Sequence, residues 1–299
     1  MTLETDRGTV RPPPPVLDYA ALAGRLPDLR SRYRKAEPYP HTVIDDFLDP
    51  ECARRACAAF PDPDSGIWTA YKHVNENKVG RSDRSLIPPD LLRIIDELNA
   101  PRFVALLSEI TGIPGLLADP SLEGGGLHQS GRGGFLNVHA DFTGHPHRPT
   151  WARRVNVLVY LNPGWRDEYG GHLELWDRAM QRCVERVAPV LNRCLIFTTG
   201  PASFHGHPEP MTCPPGTTRK SIALYYFTEE AALRARSTEY RPRPTDPRAR
   251  RALIRLDTLA LRGYDSVKRR LGFGDRAVSA LLRLVFGRPD GSGKGGVRR

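Results

Sequence analysis

The stretch R-V-N-V-L-V-Y-L-N (154–162) is rich in β-branched residues and ends at an asparagine, so it predicts a buried β-strand. Three further runs of this kind are H-L-E-L-W (172–176), R-V-A-P-V-L-N-R-C-L-I-F (186–197) and R-K-S-I-A-L-Y-Y-F (219–227). Each run is bounded by Gly, Pro, Asn or Asp, and no helical periodicity separates them. Strand following strand predicts an antiparallel jelly roll (double-stranded β-helix) over about residues 122–227.

Helix signals precede this β-rich region, between residues 38 and 112. Pro50, Pro89 and Pro101 each stand at the first turn of an amphipathic segment, and Gly112 can end the last one. The apolar stripes of these segments need a partner surface, which the sheet can provide. We therefore predict a mainly β protein of the α+β class, with N-terminal helices packed on one sheet.

The two ends of the chain differ in composition from its centre. Residues 1–37 include R-P-P-P-P and predict a disordered or poorly ordered leader, so the ordered domain is expected over residues 38–230. Residues 231–299 predict a basic tail with amphipathic helices over about 251–262 and 277–286, followed by a disordered end. The chain is thus expected to hold one folded domain between two extensions.

The net charge of +10 comes from the tail. Residues 234–299 hold 18 Lys and Arg against 6 Asp and Glu, so the rest of the chain is close to neutral. This distribution does not favour nucleic-acid binding by the main domain. Docking of the tail on the domain is the favoured interpretation, and contact with another copy or with an anionic membrane surface remains an alternative.

Composition also bears on the location of the protein. The chain contains no apolar run of the roughly 20 residues that span a bilayer, and its N-terminus lacks the apolar segment of a signal peptide. Its five cysteines follow no disulfide or zinc-ligand spacing. These features predict a cytoplasmic protein.

The segment H-A-D contains a histidine and an aspartate two positions apart, His139 and Asp141. Residues at this spacing in a β-strand point to the same face, so an imidazole and a carboxylate could bind one metal ion. Such a pair by itself often makes only a hydrogen bond at a strand end. Its significance depends on the residues that follow downstream.

A second imidazole, His205 in S-F-H-G, follows a predicted strand, and Arg219 opens the last apolar strand with Ser221 on the same face. Two histidines and one carboxylate on one side of a metal are the arrangement of non-haem Fe(II) oxygenases. The planar guanidinium of arginine can bind a carboxylate through two hydrogen bonds. The alternative for Arg219 is a solvent-exposed strand end.

Five motifs in order resemble the Fe(II)/2-oxoglutarate-dependent dioxygenases of the prolyl 4-hydroxylase type. They are H-A-D (139–141), Y-L-N (160–162), G-G-H-L-E-L-W (170–176), F-H-G (204–206) and R-K-S-I-A-L-Y-Y-F (219–227). The resemblance covers about residues 38–230. It implies that His139, Asp141 and His205 are the catalytic ligands of Fe(II). It also implies that Arg219 binds the distal carboxylate of 2-oxoglutarate, and Ser221, on the same strand face, suits the same carboxylate.

The resemblance leaves three positions open. Tyr160 matches a tyrosine that contacts the distal carboxylate in some relatives, but a core tyrosine would fit the pattern equally well. His128 or Gln129 matches a region that approaches the cosubstrate in relatives. The long gap between His205 and Arg219 makes His207 a rival for the third ligand position, although the alignment of F-H-G favours His205.

The activity that the resemblance implies is hydroxylation of an unactivated C–H bond with Fe(II), 2-oxoglutarate and O2, releasing succinate and CO2. Ascorbate is an optional reductant. The presence of Asp141 favours hydroxylation, since a halogenating relative would be expected to lack this carboxylate. The substrate is expected to be an amino-acid, peptidyl or tailoring-pathway small molecule. The polar loop 141–154 would suit an acidic substrate, although solvated charge explains it better.

Two other classes of protein remain open at this point. A cupin-like metal-binding jelly roll with other chemistry would not need Arg219. A nucleic-acid or membrane-surface interaction protein led by its basic tail would not need His139.

Overall fold

The computed structural model describes residues 14–271, and side chains as far as residue 259. The helices are α1 (Tyr19–Lys35), α2 (Pro50–Ala58), α3 (Pro89–Asn99), α4 (Pro101–Thr111) and α5 (Arg248–Leu271). The strands are β1 (His41–Ile44), β2 (Thr69–His73), β3 (Glu76–Arg81), β4 (Leu117–Ala118), β5 (Gly126–Ser130), β6 (Phe135–Ala140), β7 (Trp151–Tyr160), β8 (Leu173–Trp176), β9 (Cys183–Val187), β10 (Arg193–Thr198), β11 (His205–His207), β12 (Arg219–Glu229) and β13 (Glu239–Tyr240).

The strands form one antiparallel sheet that rolls into a nearly closed barrel. Its order is β1-β10-β7-β12-β5-β3-β6-β11-β8-β9, and β3 joins the two halves by pairing with both β5 and β6. The first half is the wide sheet that carries β7 and β12, and the second carries β6, β11 and β8. The inner faces of the two halves enclose a cavity.

Helices α3 and α4 pack against the outer face of the wide sheet. Both begin at a proline, as the sequence predicts, and α4 ends at Gly112, whose φ of 72° lies in the left-handed region. Phe103 of α4 contacts Tyr226 of β12 with ring centroids 6.2 Å apart, and the Tyr226 hydroxyl donates to the carbonyl of Leu98. The apolar stripes of the helices and the outer face of the sheet thus form one core.

Helix α1 lies within the segment that the sequence predicted to be a disordered leader, so that prediction is wrong for residues 19–35. Asp18 begins the helix by accepting hydrogen bonds from the next backbone amides. Leu22, Leu29 and Tyr33 are buried, and the Tyr33 hydroxyl bonds Thr198 of β10 at 2.5 Å. The sequence of this helix contains Gly24 and Pro27 and few apolar residues, so its local pattern does not indicate a helix. The helix is stabilised by packing on the domain rather than by helix propensity.

The C-terminal limit of the domain also differs from the predicted boundary at residue 230. Strand β13 pairs with β6, with Tyr240 opposite His139, so residues as far as Tyr240 complete the barrel. Helix α5 confirms the predicted helix over 251–262, and the predicted helix over 277–286 lies outside the described residues. One compact unit of the chain extends as far as Arg255. Among the described helices, none is both long and apolar enough to cross a bilayer.

Candidate active site

The structure brings together the two histidines and the aspartate that the sequence predicted as metal ligands. His139 lies in β6, Asp141 follows the end of that strand, and His205 opens β11. His205 is paired with His139 across the two strands, and their ring centroids are 4.5 Å apart. One potential ligand atom from each of the three residues lies within 4.8 Å of the others.

Both imidazoles are oriented with the same ring nitrogen toward the aspartate. Nδ1 of His139 is 2.9 Å from the carbonyl of Asn137, and Nδ1 of His205 is 2.9 Å from the carbonyl of Ser203. A carbonyl oxygen only accepts, so each Nδ1 donates its proton and each Nε2 lone pair is left for a metal. Each Nε2 is 3.4 Å from an Asp141 oxygen. Burial lowers the pKa of His205 to about 4, so this imidazole is neutral at pH 7.

The nitrogen and oxygen donors on one side of this group suit Fe(II) with open positions for other ligands. The orientation of both rings is already set by backbone carbonyls, as it is in metal-binding histidines generally. The residues present therefore fit an iron ion.

The carboxylate of Asp141 is held by a second layer of side chains. Its Oδ2 accepts from Nη2 of Arg153 at 2.9 Å and from Nδ2 of Asn156 at 2.8 Å. The Arg153 guanidinium lies 3.4 Å from the ring centre of Tyr225 and 4.5 Å from that of Phe142. Burial opposes ionisation of Asp141, but the adjacent Arg153 guanidinium counteracts burial, and the pKa of Asp141 lies well below its usual value.

The sequence did not predict that Arg153 and Asn156 hold the Asp141 carboxylate. Asn156 interrupts the apolar β7 strand at an even spacing from Tyr160, which places both on the cavity face and was a usable signal. Arg153 was assigned to a charged loop, yet its side chain is buried. Its hydrogen bond to Asp141 depends on the pairing of strands, which the local sequence pattern does not predict.

Most basic groups of the charged loop 141–154 have acidic neighbours: Arg154 and Glu230 at 2.6 Å, His145 and Asp119 at 3.4 Å, and His147 and Glu123 at 3.5 Å. Arg148 is instead exposed, with its guanidinium 4.2 Å from the ring centre of Trp151. The pairing of the other groups favours the interpretation of this loop as ordinary solvated surface over a cationic site for an acidic substrate.

Arg219 is buried at the start of β12, with 6% of its surface exposed. The alternative of an exposed strand end is therefore wrong. Its Nε donates to the carbonyl of Gly171 at 2.7 Å, and its Nη2 donates to the hydroxyl of Tyr160 at 3.3 Å. Burial lowers the pKa of Arg219, but a guanidinium remains charged in proteins. Among the described residues it has no acidic partner, so an anion would compensate its charge.

Strand register places three of the predicted residues in one row. His128 of β5 lies opposite Ser221 of β12, which lies opposite Tyr160 of β7. Directly opposed residues share a face, so these side chains lie side by side in the barrel. Gln129, the alternative to His128, instead donates to the Thr218 hydroxyl at 2.7 Å. His128 is thus the member of that pair in the row of Ser221 and Tyr160.

Most of these groups line one cavity of about 290 Å³, whereas Tyr160 is completely buried behind its wall. The three candidate metal ligands and Arg219 line it, and its apolar wall includes Leu158, Leu173 and Phe197. Tyr240 of β13 also lines it, with its ring 5.6 Å from that of His139. The C-terminal segment therefore contributes to the site, which the sequence analysis did not predict.

The three candidate ligands His139, Asp141 and His205 are called the metal group here. His207, the rival for the third ligand position, lines the cavity but is not part of the metal group. The register between β11 and β6 shifts between His205 and His207, so that His207 lies opposite Leu136. The geometry therefore favours His205 for the metal, and the role of His207 has to be sought elsewhere in the cavity.

Comparison with known proteins finds similarity in the central part of the chain. Residues 125–227 match the model of the 2OG-Fe(II) oxygenase superfamily. The prolyl 3-hydroxylase OGFOD1 of Mus musculus is 30% identical over 79 residues, which is 25% of this chain. The matched segment spans only 14% of the length of that relative.

Two solved structures resemble the fold. A prolyl hydroxylase from Trichoplax adhaerens, in complex with a hypoxia inducible factor oxygen degradation domain peptide fragment, is 18% identical. The match covers 70% of this chain and 93% of that one, with a TM-score of 0.50. A prolyl-4-hydroxylase from Pseudomonas putida is 17% identical. The match covers 67% of this chain and 99% of that one, with a TM-score of 0.47. The predicted jelly-roll core with packed helices is confirmed.

Proposed function

From the premise that residues 125–227 form a 2OG-Fe(II) oxygenase domain of the prolyl 4-hydroxylase-like type, we propose that the chain is an Fe(II)- and 2-oxoglutarate-dependent hydroxylase. His139, Asp141 and His205 hold the iron. Arg219, Tyr160 and Ser221 bind the distal carboxylate of 2-oxoglutarate. The substrate is an amino-acid, peptidyl or tailoring-pathway molecule with an unactivated C–H bond, and the co-products are succinate and CO2.

The observation that carries this proposal is the buried guanidinium of Arg219 in the same cavity as the metal group. A buried cation without a counter-ion is costly, and a carboxylate that accepts two hydrogen bonds from it offsets the cost. A ligand with one carboxylate for Arg219 and a second chelating end for the metal satisfies both groups. 2-Oxoglutarate has this chemistry, whereas a cupin-like protein with other chemistry has no use for Arg219.

Iron with bound 2-oxoglutarate supplies the activation of O2 and the oxidation of the C–H bond. The chain supplies orientation and exclusion of water. His139 and His205 present Nε2 because their Nδ1 protons are bound to backbone carbonyls. Leu158, Leu173 and Phe197 keep the cavity wall apolar beside the metal group.

The test is the binding of 2-oxoglutarate to the full-length, Fe(II)-loaded protein without oxygen, measured by calorimetry. Wild type is expected to bind one equivalent, and Arg219→Leu to lose at least about tenfold in affinity, because a charge-assisted hydrogen bond is lost. Arg219→Lys keeps the charge and controls for folding. Absence of metal-dependent binding in wild type, or equal binding by Arg219→Leu, would refute the proposal.

Turnover is then measured as succinate release with O2, with and without ascorbate, across amino acids and prolyl peptides. A panel member that raises succinate release above the uncoupled rate identifies the substrate class. The mass of the product is expected to exceed that of the substrate by one oxygen atom.

A further inference from the structure

Some of the buried polar atoms that lack a hydrogen bond line the active-site cavity. Among the described residues there, Nδ1 of His207 is one of them. A buried donor or acceptor that is left unsatisfied costs stability, so each such group in a native protein needs an explanation. A bound ligand that hydrogen-bonds the His207 imidazole is one explanation, and this imidazole does not belong to the metal group.

The position of His207 is fixed by the strand that holds it. A Cβ on Gly206 would lie 2.7 Å from the carbonyl oxygen of Leu136, so only glycine lets β11 lie this close to β6. His205 before this glycine faces the metal group, and His207 after it faces the same cavity further along. The two histidines therefore lie on the same strand but border different parts of the cavity.

His207 lies toward the end of the cavity that contains Arg219. Gly206 pairs with Glu174 of β8, so His207 continues toward Leu173, two residues from Gly171. The carbonyl of Gly171 is the acceptor of the Arg219 Nε proton.

His128 approaches the same end from the wide sheet. It lies between Gly80 of β3 and Ser221 of β12, in the row that continues to Tyr160. A side chain at Gly80 would come within 3.3 Å of the His128 ring, so this glycine provides the room for the imidazole. The space beside Arg219 is thus bordered by polar groups from both halves of the barrel.

We infer that His207 is a cosubstrate-binding residue whose imidazole donates a hydrogen bond to the distal carboxylate held by Arg219, with His128 bordering the same carboxylate from the wide sheet. This inference rests on the proposed function. It assigns His207 to the dicarboxylate rather than to the metal. It also makes the pocket selective for a 2-oxo acid with a second carboxylate, because an alkyl end accepts no hydrogen bond from the imidazole or the guanidinium.

The test compares two ligands that differ only at the distal end, 2-oxoglutarate and 2-oxopentanoate. Their affinities for the anaerobic, metal-loaded, full-length protein are measured by calorimetry in wild type and His207→Leu. The variant is expected to bind 2-oxoglutarate about tenfold more weakly and 2-oxopentanoate within about twofold of wild type. Its metal content is expected to be unchanged. His147→Leu, which alters a side chain 72% exposed, is the matched control and should change neither affinity.

Three results would overturn the inference: unchanged 2-oxoglutarate affinity in His207→Leu, equal loss for both ligands, or loss of the metal. Failure of the wild type itself to bind 2-oxoglutarate refutes the proposed function instead. If His207→Leu does not fold, the wild-type protein is loaded with Zn(II) and ¹⁵N-labelled at histidine. The His207 signal, assigned with His207→Asn, should then move with 2-oxoglutarate and not with 2-oxopentanoate. A signal that moves with neither ligand, or equally with both, also refutes the inference.

Discussion

Arg153 donates from Nη2 to Oδ2 of Asp141 at 2.9 Å, from a position twelve residues further along the chain. Asn156 donates to the same oxygen, and it also accepts from Nε of Arg153 at 3.0 Å. Two donors on one oxygen fix the plane of the carboxylate. The Asp141 carboxylate is therefore oriented by β7, a strand that supplies no metal ligand itself.

This orientation predicts a role for Arg153 in metal affinity. Arg153→Met is expected to weaken Co(II) or Fe(II) binding by about 10- to 100-fold, as removal of outer-layer partners of metal ligands generally does. The affinity is measured by competition with a chelator. Arg154→Met is the matched control, because the neighbouring arginine bonds Thr228 and Glu230 away from the metal group. Equal affinities of Arg153→Met and wild type would contradict the prediction.

The ion pair of Asp141 and Arg153 also predicts that substitutions of the two residues have coupled effects on the free energy of unfolding of the metal-free protein. Asp141→Leu leaves the buried Arg153 charge uncompensated and is expected to cost about 3 to 5 kcal/mol in the free energy of unfolding. The double variant Asp141→Leu/Arg153→Met is expected to recover much of that loss. Urea unfolding in the presence of a chelator measures both. Strict additivity of the two single changes would show that the pair is not coupled.

Helix α1 is predicted to be part of the cooperative domain. Leu29 is completely buried, so Leu29→Ala is expected to lower the free energy of unfolding by about 2 to 5 kcal/mol. Arg30→Ala, at the neighbouring exposed position, should change it by less than about 0.5 kcal/mol. Thermal and urea unfolding test this prediction, and a separate early transition for the helix would contradict it.

Strand β13 is predicted to support the metal group. It pairs with His139 and Ala140 of β6, and the amide of Arg241 donates to the carbonyl of Val138 at 2.8 Å. A chain that ends after residue 255 is expected to bind metal as wild type does. A chain that ends after residue 230 is expected to bind it at least about tenfold more weakly, because a misplaced ligand loses affinity. Chelator competition on both chains is the measurement, and equal affinities would contradict the prediction.

The local patterns of the sequence were sufficient for several of these features. The β-branched runs predicted strands because β-branched side chains pack well on a pleated sheet. The period of two along a strand placed His139 with Asp141, and Arg219 with Ser221. The prolines and Gly112 marked helix ends because their backbone angles are restricted or unusually free. These signals depend only on neighbours in the chain.

Other features depend on contacts between distant segments. The burial of Arg219, the hold of Arg153 and Asn156 on Asp141, and the packing of α1 all arise from strand and helix pairings that leave no local pattern. The difference between His205 and His207 arises from a register shift on β11. The sequence does not show this shift, because two residues that are two positions apart in a strand are expected on the same face. Residue type and spacing therefore predicted which chemistry the chain could carry. The pairing of its strands decided which side chains meet in the cavity, because burial and distance are properties of the folded barrel.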